Sequence, residues 1–325
     1  MRVPDERLKA LAVEGESAKI TEATVDFIDI AGLVAGASEG KGLGNKFLAN
    51  IASVHSIVHV VRCFEDDSIT HVEGTPDPIR DIQIIEKELI YKDLSSMEGF
   101  HRRRPKGNNT EAKVWESTHA KTMALLEEEK PALGVRSSLT EDETALFETW
   151  RLLSAKPILI ACNVDENSVS GGNALSQLVQ QWASSNNHPI APVVVSAKLE
   201  SELMILEDDP VKRMELFKSY GMEESALTQI IRSSYQLLDL ITFYTVGPTE
   251  ARAWSVRKGS SAKECAAEIH TDIAKGFIKA ETFSYYDYIT YGEKKAKEMN
   301  KLRLEGPGYI AQDGDIFLFK FKGAR

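Results

Sequence analysis

The sequence predicts an α/β protein: a doubly wound sheet, interrupted by a helical insertion and followed by a small α+β module. Three observations carry this. The runs "PILIACN" (157–163) and "PIAPVVVSA" (189–197) are short, continuous, apolar and rich in β-branched residues, which suits parallel strands buried on both faces. With "ATVDFID" (23–29) and "SIVHVVRCF" (56–64) they alternate with segments of helical spacing, so ligands are expected at the strands' carboxyl ends. From Asp77 to about Ser154 no strand-like run occurs, whereas after Leu240 strand patterns return.

Taken in order, the helix between the first two strands is marked by Leu43, Phe47, Leu48, Ile51 and Val54. Asp77-Pro78 is a helix start, with an N-cap acid and proline at the first helical position, and Ile79, Ile82, Ile85 and Leu89 then share one face. A strongly charged helix is expected over Glu111–Glu129. "TEDE" (140–143) fits a capping box and leads into Leu146, Phe147, Trp150 and Leu153. Between the first two arms lies a basic turn, "HRRRPKGNN" (101–109). In the last part, "ITFYTVG" and "ARAWSVRKG" predict a hairpin, "SAKE" (261–264) caps a helix, and "FIKAETFS" and "GDIFLFKF" are further strands, a module of about 85 residues.

The 325 residues are 42% hydrophobic and 27% charged, with a formal net charge of −10, so the surface as a whole is not a nucleic-acid footprint. Three widely spaced cysteines, Cys63, Cys162 and Cys265, exclude a disulfide scaffold and a cysteine metal site. No apolar run approaches the roughly 18 residues of a membrane span, and "MRVPDERLKAL" is too charged for a signal peptide. A cytoplasmic monomer without a membrane partner is expected, a mitochondrial location staying open.

The chemistry centres on residues 26–51, "DFIDIAGLVAGASEGKGLGNKFLANI", a strand pattern, five glycines and a helix. A phosphate cradle of the form G-x-x-x-x-G-K-[ST] is not there: with Gly40-Lys41 as its end, Ala35 stands where the first glycine belongs and Gly42 where the hydroxyl belongs. Asp29-Ile30-Ala31-Gly32 instead has the D-x-x-G form of a nucleotide switch. Alone that tetrapeptide is common and reads equally as a capped turn. Downstream, at the next strand ends, stand Asn163-Val164-Asp165-Glu166, like the base-reading N-K-x-D, and Ser196-Ala197-Lys198, like the S-A-K loop behind the base. Three motifs at successive strand ends, in this order, form a composite signal for nucleotide binding.

These stretches, with "VVRCFEDDSITHVEG", "DPIRDIQIIEKEL" and "RAWSVRKG…EIHTDIAKGFIKAE…YIAQDGDIFLFKF", resemble the YchF/Obg-like ATPase family of translation-factor-class P-loop NTPases over nearly the whole chain. The resemblance implies a P-loop NTPase-like sheet over 1–77 and 155–239, a coiled-coil insert over 78–154 and a ubiquitin-like TGS domain over 240–325. It also implies that "VPDERLKAL" corresponds to a segment lying after the family's first strand, P-loop and first switch. The chain is therefore expected to start about forty residues late, a strand–loop–helix unit plus a loop.

The activity implied is ATP hydrolysis with Mg2+, GTP being tolerated, in association with the ribosome; positioning and charge neutralisation do most of such catalysis. By motif, Asp29 holds Mg2+ through water and Gly32 senses the γ-phosphate. Leu33 stands where Ras-like proteins have the water-orienting glutamine, so another group must act: His71 is the candidate, with a loop-structural role as its alternative. Glu166 replaces the aspartate that accepts two hydrogen bonds from guanine, and its extra methylene displaces that fork, which lowers guanine selectivity. Asn163 and the backbone near Val164 are expected to contact adenine, with the Val164 side chain as an apolar lid and Ser196, Ala197 and Lys198 behind the base. RNA is a candidate partner of the His101–Lys106 turn and of the TGS domain, whose Phe283, Tyr285, Tyr286 and Tyr288 are read as packing residues. Without a Walker A loop, nucleotide affinity is expected to be weak, and a non-catalytic ribosome- or RNA-binding module is the alternative reading.

Overall fold

The computed structural model describes residues 1–30, 43–71, 74–207 and 209–322, the side chains of 43–46 and 210 excepted. Nine strands occur among these residues: β1 (Ile20–Thr21), β2 (Ile57–Arg62), β3 (Ile158–Asn163), β4 (Val193–Val195), β5 (Leu240–Val246), β6 (Ala251–Arg257), β7 (Phe277–Ser284), β8 (Arg303–Glu305) and β9 (Asp315–Phe321). The chain divides into two compact units, Ile28–Ile230 and Met1–Phe27 with Ile231–Arg325.

In the first unit β2, β3 and β4 form a parallel sheet, in register at Val61↔Cys162 and Asn163↔Val195. Both faces of the central strand β3 are covered, which is why it is apolar up to Cys162, whereas β2, at the sheet's edge among the described residues, carries His59 and Arg62 and leaves Val60 exposed. On one face Val61, Ile160 and Cys162 pack with Ile82 of helix Pro78–Arg102 and Val179 of helix Ala174–Ser185. On the other, Ala161 and Val195 pack with Ala226, which opens helix Ala226–Leu237. The run expected over 189–197 is cut to three residues, because Pro189 and Pro192 have no N–H to give a ladder.

"ATVDFID" does not form the expected strand. Among the described residues its only ladder contact is a bridge between Thr24 and Arg2, and Phe27 and Ile28 are exposed. The first residues of the chain take up its backbone groups instead: Val3 N–H donates to Ala23 O and Val25 N–H to Met1 O, both at 2.8 Å.

Residues 78–154 contain helices and no strand. Asp77 caps the helix Pro78–Arg102 by accepting from Arg80 N–H, and the second helix runs Thr110–Glu127. Ile90, Met97, Leu126 and Phe147 form their shared core. The capping box at Thr140 is present and opens helix Glu141–Trp150. Its Glu143 is drawn into a wider network: Lys121 Nζ donates to it at 2.7 Å, Ser117 Oγ at 2.5 Å and Thr140 N–H at 2.8 Å. The Lys121 and Ser117 bonds, with the Thr140 amide, hold its carboxyl down to about 2. A carboxyl depressed in the folded state stabilises above its unfolded value near ~4.3, and that stability is lost as pH falls toward the folded value. Urea midpoints at pH 7 and pH 3 are therefore expected to differ more for the wild type than for Glu143→Gln; equal differences would remove this residue from the acid response.

In the second unit a six-stranded sheet has the order β1-β6-β5-β9-β7-β8. The expected hairpin is β5–β6, antiparallel, with Phe243 opposite Trp254. One face, with Phe243, Val256 and Phe317, covers Cys265 of helix Ala262–Ile269. The other, with Tyr244, Ala253 and Ile316, covers Leu8 and Leu11 of helix Glu6–Glu14 and Tyr288 of helix Tyr285–Glu298. Residues 1–27 thus pack with the C-terminal part, whereas the sequence reading grouped 1–77. Apolar burial of Leu8 and Leu11 and a polar lock decide this: Tyr244 Oη–H donates to Asp5, and Arg7 bridges Asp5 at 3.1 Å and Asp313 at 2.6 Å. Of the four aromatics read as packing residues, Phe283 and Tyr288 are buried and Tyr285 partly so, while Tyr286 is 80% exposed. All three cysteines are buried, free thiols. Among the described residues no helix is long and apolar enough to cross a membrane.

Candidate nucleotide site

The carboxyl ends of β3 and β4 bring two of the three sequence motifs together. Asn163, the last residue of β3, accepts from Ala197 N–H through Oδ1 at 3.0 Å, so its side chain joins the two loops. Its carbonyl accepts from Cys63 N–H, and Val164 N–H donates to Val195 O, each at 2.8 Å. Glu166 Oε2 and Lys198 Nζ pair at 2.9 Å on the surface, and this pairing raises the lysine's pKa. Ser196 is 1% exposed, and its Oγ has no hydrogen-bond partner among the described residues. Asp165 serves the turn itself, accepting from Ser168 Oγ at 2.8 Å and Asn167 N–H at 2.9 Å.

One expectation changes here. The Val164 side chain is 2% exposed and packs with Val61, Ile82 and Val179. It faces the core, so it is no lid for a base. The alternation of a buried strand continues one residue past the ladder, and only the Val164 backbone remains for ligand contact.

His71 sits on the loop after β2, whose last residue, Arg62, is in register with Asn163. Arg62 shapes that loop by donating to the carbonyls of Phe64, Asp66 and Ile69 at 2.9–3.1 Å. Sequence reasoning missed this arginine, because it lay inside the strand expected over 56–64, and only the fold ends that strand at Arg62. His71 Nε2 lies 3.0 Å from Asp81 Oδ2, near the start of helix Pro78–Arg102.

Asp29 is exposed at the end of the unladdered segment, and no described hydrogen bond joins it to the other motifs. Gly32 lies outside the described residues. No cluster of three or more His, Cys, Asp or Glu able to hold a metal exists among the described residues. A single exposed carboxylate still suits Mg2+, which keeps several waters and takes one or two carboxylates plus substrate phosphates. In the helical region, His101, Arg102, Arg103, Arg104 and Lys106 are exposed. Beside them the rings of Trp115 and His119 stack at 4.6 Å.

Comparison with known proteins bears on the family and the fold. Residues 240–322 match the family model YchF-GTPase_C, described as a protein of unknown function (DUF933). Three relatives are each named "Ribosome-binding ATPase YchF". That of Haemophilus influenzae is 44% identical, over 98% of this chain and 87% of its own length. That of Bacillus subtilis is 42% identical, over 99% and 88%. That of Escherichia coli O157:H7 is 40% identical, over 98% and 87%. Among solved structures, the Schizosaccharomyces pombe YchF GTPase superposes with a TM-score of 0.84 at 32% identity, covering 98% of this chain and 86% of that one. A GTP binding protein from Pyrococcus horikoshii, at 21% identity and a TM-score of 0.52 over 85% of this chain and 81% of its own, shares the fold. With similarity this extensive, from the N-terminal residues to the last strand, the chain belongs to the YchF family.

Proposed function

We propose that this chain binds ATP at the carboxyl ends of β2, β3 and β4 and hydrolyses it in association with the ribosome, tolerating GTP. The observation that carries the reading is the Asn163–Ala197 bond, which clamps the two base-side loops together with Glu166, not aspartate, at the fourth motif position. Asn163 and the Val164 backbone hold the adenine edge, and Ser196–Lys198 back the ring. Asp29 holds Mg2+ through water and Gly32 senses the γ-phosphate; the metal, when bound, neutralises charge on the phosphates. His71 orients the attacking water, a role that its anchored loop supports. The names of the relatives support the hydrolytic, ribosome-associated reading over a non-catalytic module. The exposed turn 101–106 contacts RNA phosphates, the TGS domain over 240–325 adds a second RNA-facing part, and the protein acts as a cytoplasmic monomer.

The test is competition of ATP against GTP on protein purified from its native cells, with and without ribosomes. ATP binding at least as tight as GTP, with ribosome-stimulated turnover, is expected. A hundredfold preference for GTP would overturn the reading of Glu166, and ATP turnover indifferent to ribosomes would overturn the association.

A further inference from the structure

We infer that Asp81 is the positioning residue that holds the His71 imidazole for hydrolysis, with Arg80 holding Asp81 in turn; this rests on the assignment of His71 above. Asp81 Oδ2 lies 3.0 Å from His71 Nε2, and the two side chains are only 18% and 14% exposed. The other carboxylate oxygen, Oδ1, accepts from Arg80 Nη2 at 3.2 Å and Nε at 3.3 Å. Arg80 Nη2 also donates to Thr75 O at 2.7 Å, across the same loop. Both oxygens of Asp81 are therefore committed, one to each partner. An acid in the first turn of a helix needs only an exposed position to serve the helix dipole. Asp81 is instead turned onto the loop and largely covered, while Asp77 already caps the helix.

The chemistry of this arrangement is directional. An ionised carboxylate only accepts, so the proton of a neutral His71 ring must be on Nε2, and the ring's orientation follows from that bond. Fixing a tautomer through the second nitrogen is how carboxylates ready histidines for work at the first. The support is anchored on both sides: Arg62 donates to the loop carbonyl of Ile69, and the 25-residue helix Pro78–Arg102 carries Asp81. Among the described residues, the other titratable groups facing Asp81 are His59 on β2, which burial pushes down to about 4, and the buried thiol of Cys63.

Asp81→Asn provides a sharp test, because Arg80 donates to one side of the group. The amide oxygen stays with Arg80, its NH2 meets Nε2, and the proton of His71 is driven to Nδ1. Asp81→Asn, His71→Ala and the double variant, introduced at the native locus and purified from those cells, would be compared in ATP hydrolysis and in thermal midpoint. For Asp81→Asn, kcat is expected to fall about 10–100-fold, the range known for carboxylates that orient metal-bound histidines, with KM within about twofold and an unchanged midpoint. In the His71→Ala background the same substitution should change nothing further. Two-bond 1H–15N correlation should show the His71 proton on Nε2 in the wild type and on Nδ1 in Asp81→Asn. His71→Ala turning over like the wild type would sink the His71 assignment itself. A slow His71→Ala beside a fast Asp81→Asn, an unchanged tautomer, or losses that simply multiply in the double variant would each overturn the role of Asp81 while leaving His71 in place.

Discussion

Replacing Asp93 by alanine is expected to lower the stability of the Ile28–Ile230 unit by about 3 kcal/mol, since stranding buried donors costs ~1–3 kcal/mol each and some are recovered by water. Asp93 is 1% exposed in the middle of helix Pro78–Arg102. Its carboxylate accepts from Leu153 N–H at 2.8 Å, Ser154 N–H at 2.7 Å and Ser154 Oγ at 2.6 Å. Ser154 passes the anchor on, accepting from Ala132 N–H at 3.0 Å. Together these bonds seat the segment that leads into β3, the strand that ends in Asn163. Burial pushes the carboxyl of Asp93 up, while the Ser154 and Leu153 donors pull the other way. Removing the carboxylate relieves that burial but leaves three donors facing a gap, and the donors outweigh the relief. Urea denaturation followed by the fluorescence of Trp115 and Trp150 is the measurement, with Asp93→Asn expected between wild type and alanine because it keeps one acceptor. A loss below about 1 kcal/mol for alanine would mean that the segment is held by its apolar neighbours instead.

Glu166→Asp is expected to tighten GTP about 10–100-fold while moving ATP by only a few-fold. A shorter carboxylate restores the reach of the guanine fork, and hydrogen bonds to a charged group are worth ~1.5–3 kcal/mol. The substitution breaks the Glu166–Lys198 pair, at 2.9 Å, but that pair is exposed and screened by solvent, so little is lost with it. The gain on guanine therefore exceeds the loss on the surface. Titration of both nucleotides on the native-source protein decides it. GTP binding unchanged by the substitution would show that base choice lies elsewhere in the loop, with the Ala197 backbone or the buried Ser196 hydroxyl.

Features whose physics is local were legible in the sequence. Asp77-Pro78, the Thr140–Glu143 box and the Ser261–Glu264 box each close within four residues, and all three are present. So are the strands 158–163, 240–246 and 251–257, because buried parallel runs and a hairpin write their pattern into consecutive side chains. The order of the switch-like and base-side motifs, and with it the family, was readable for the same reason: each motif is a short string.

Contacts between distant residues were not legible. Asp5 and Tyr244, 239 positions apart, help set residues 1–27 against the C-terminal sheet. "ATVDFID" has the composition of a strand, but a strand exists only where another backbone offers it a ladder, and among the described residues Val3 and Met1 reach only Ala23 and Val25. Val164 looked available to a base until the packing of Val61 and Val179 enclosed it. Nothing in the sequence marks Asp81; the fold gives it its partner by bringing the loop that carries His71 against it. Propensity, capping and motif order act over a few residues and belong to the chain itself; which groups face one another is decided by burial and hydrogen-bond competition across the whole fold.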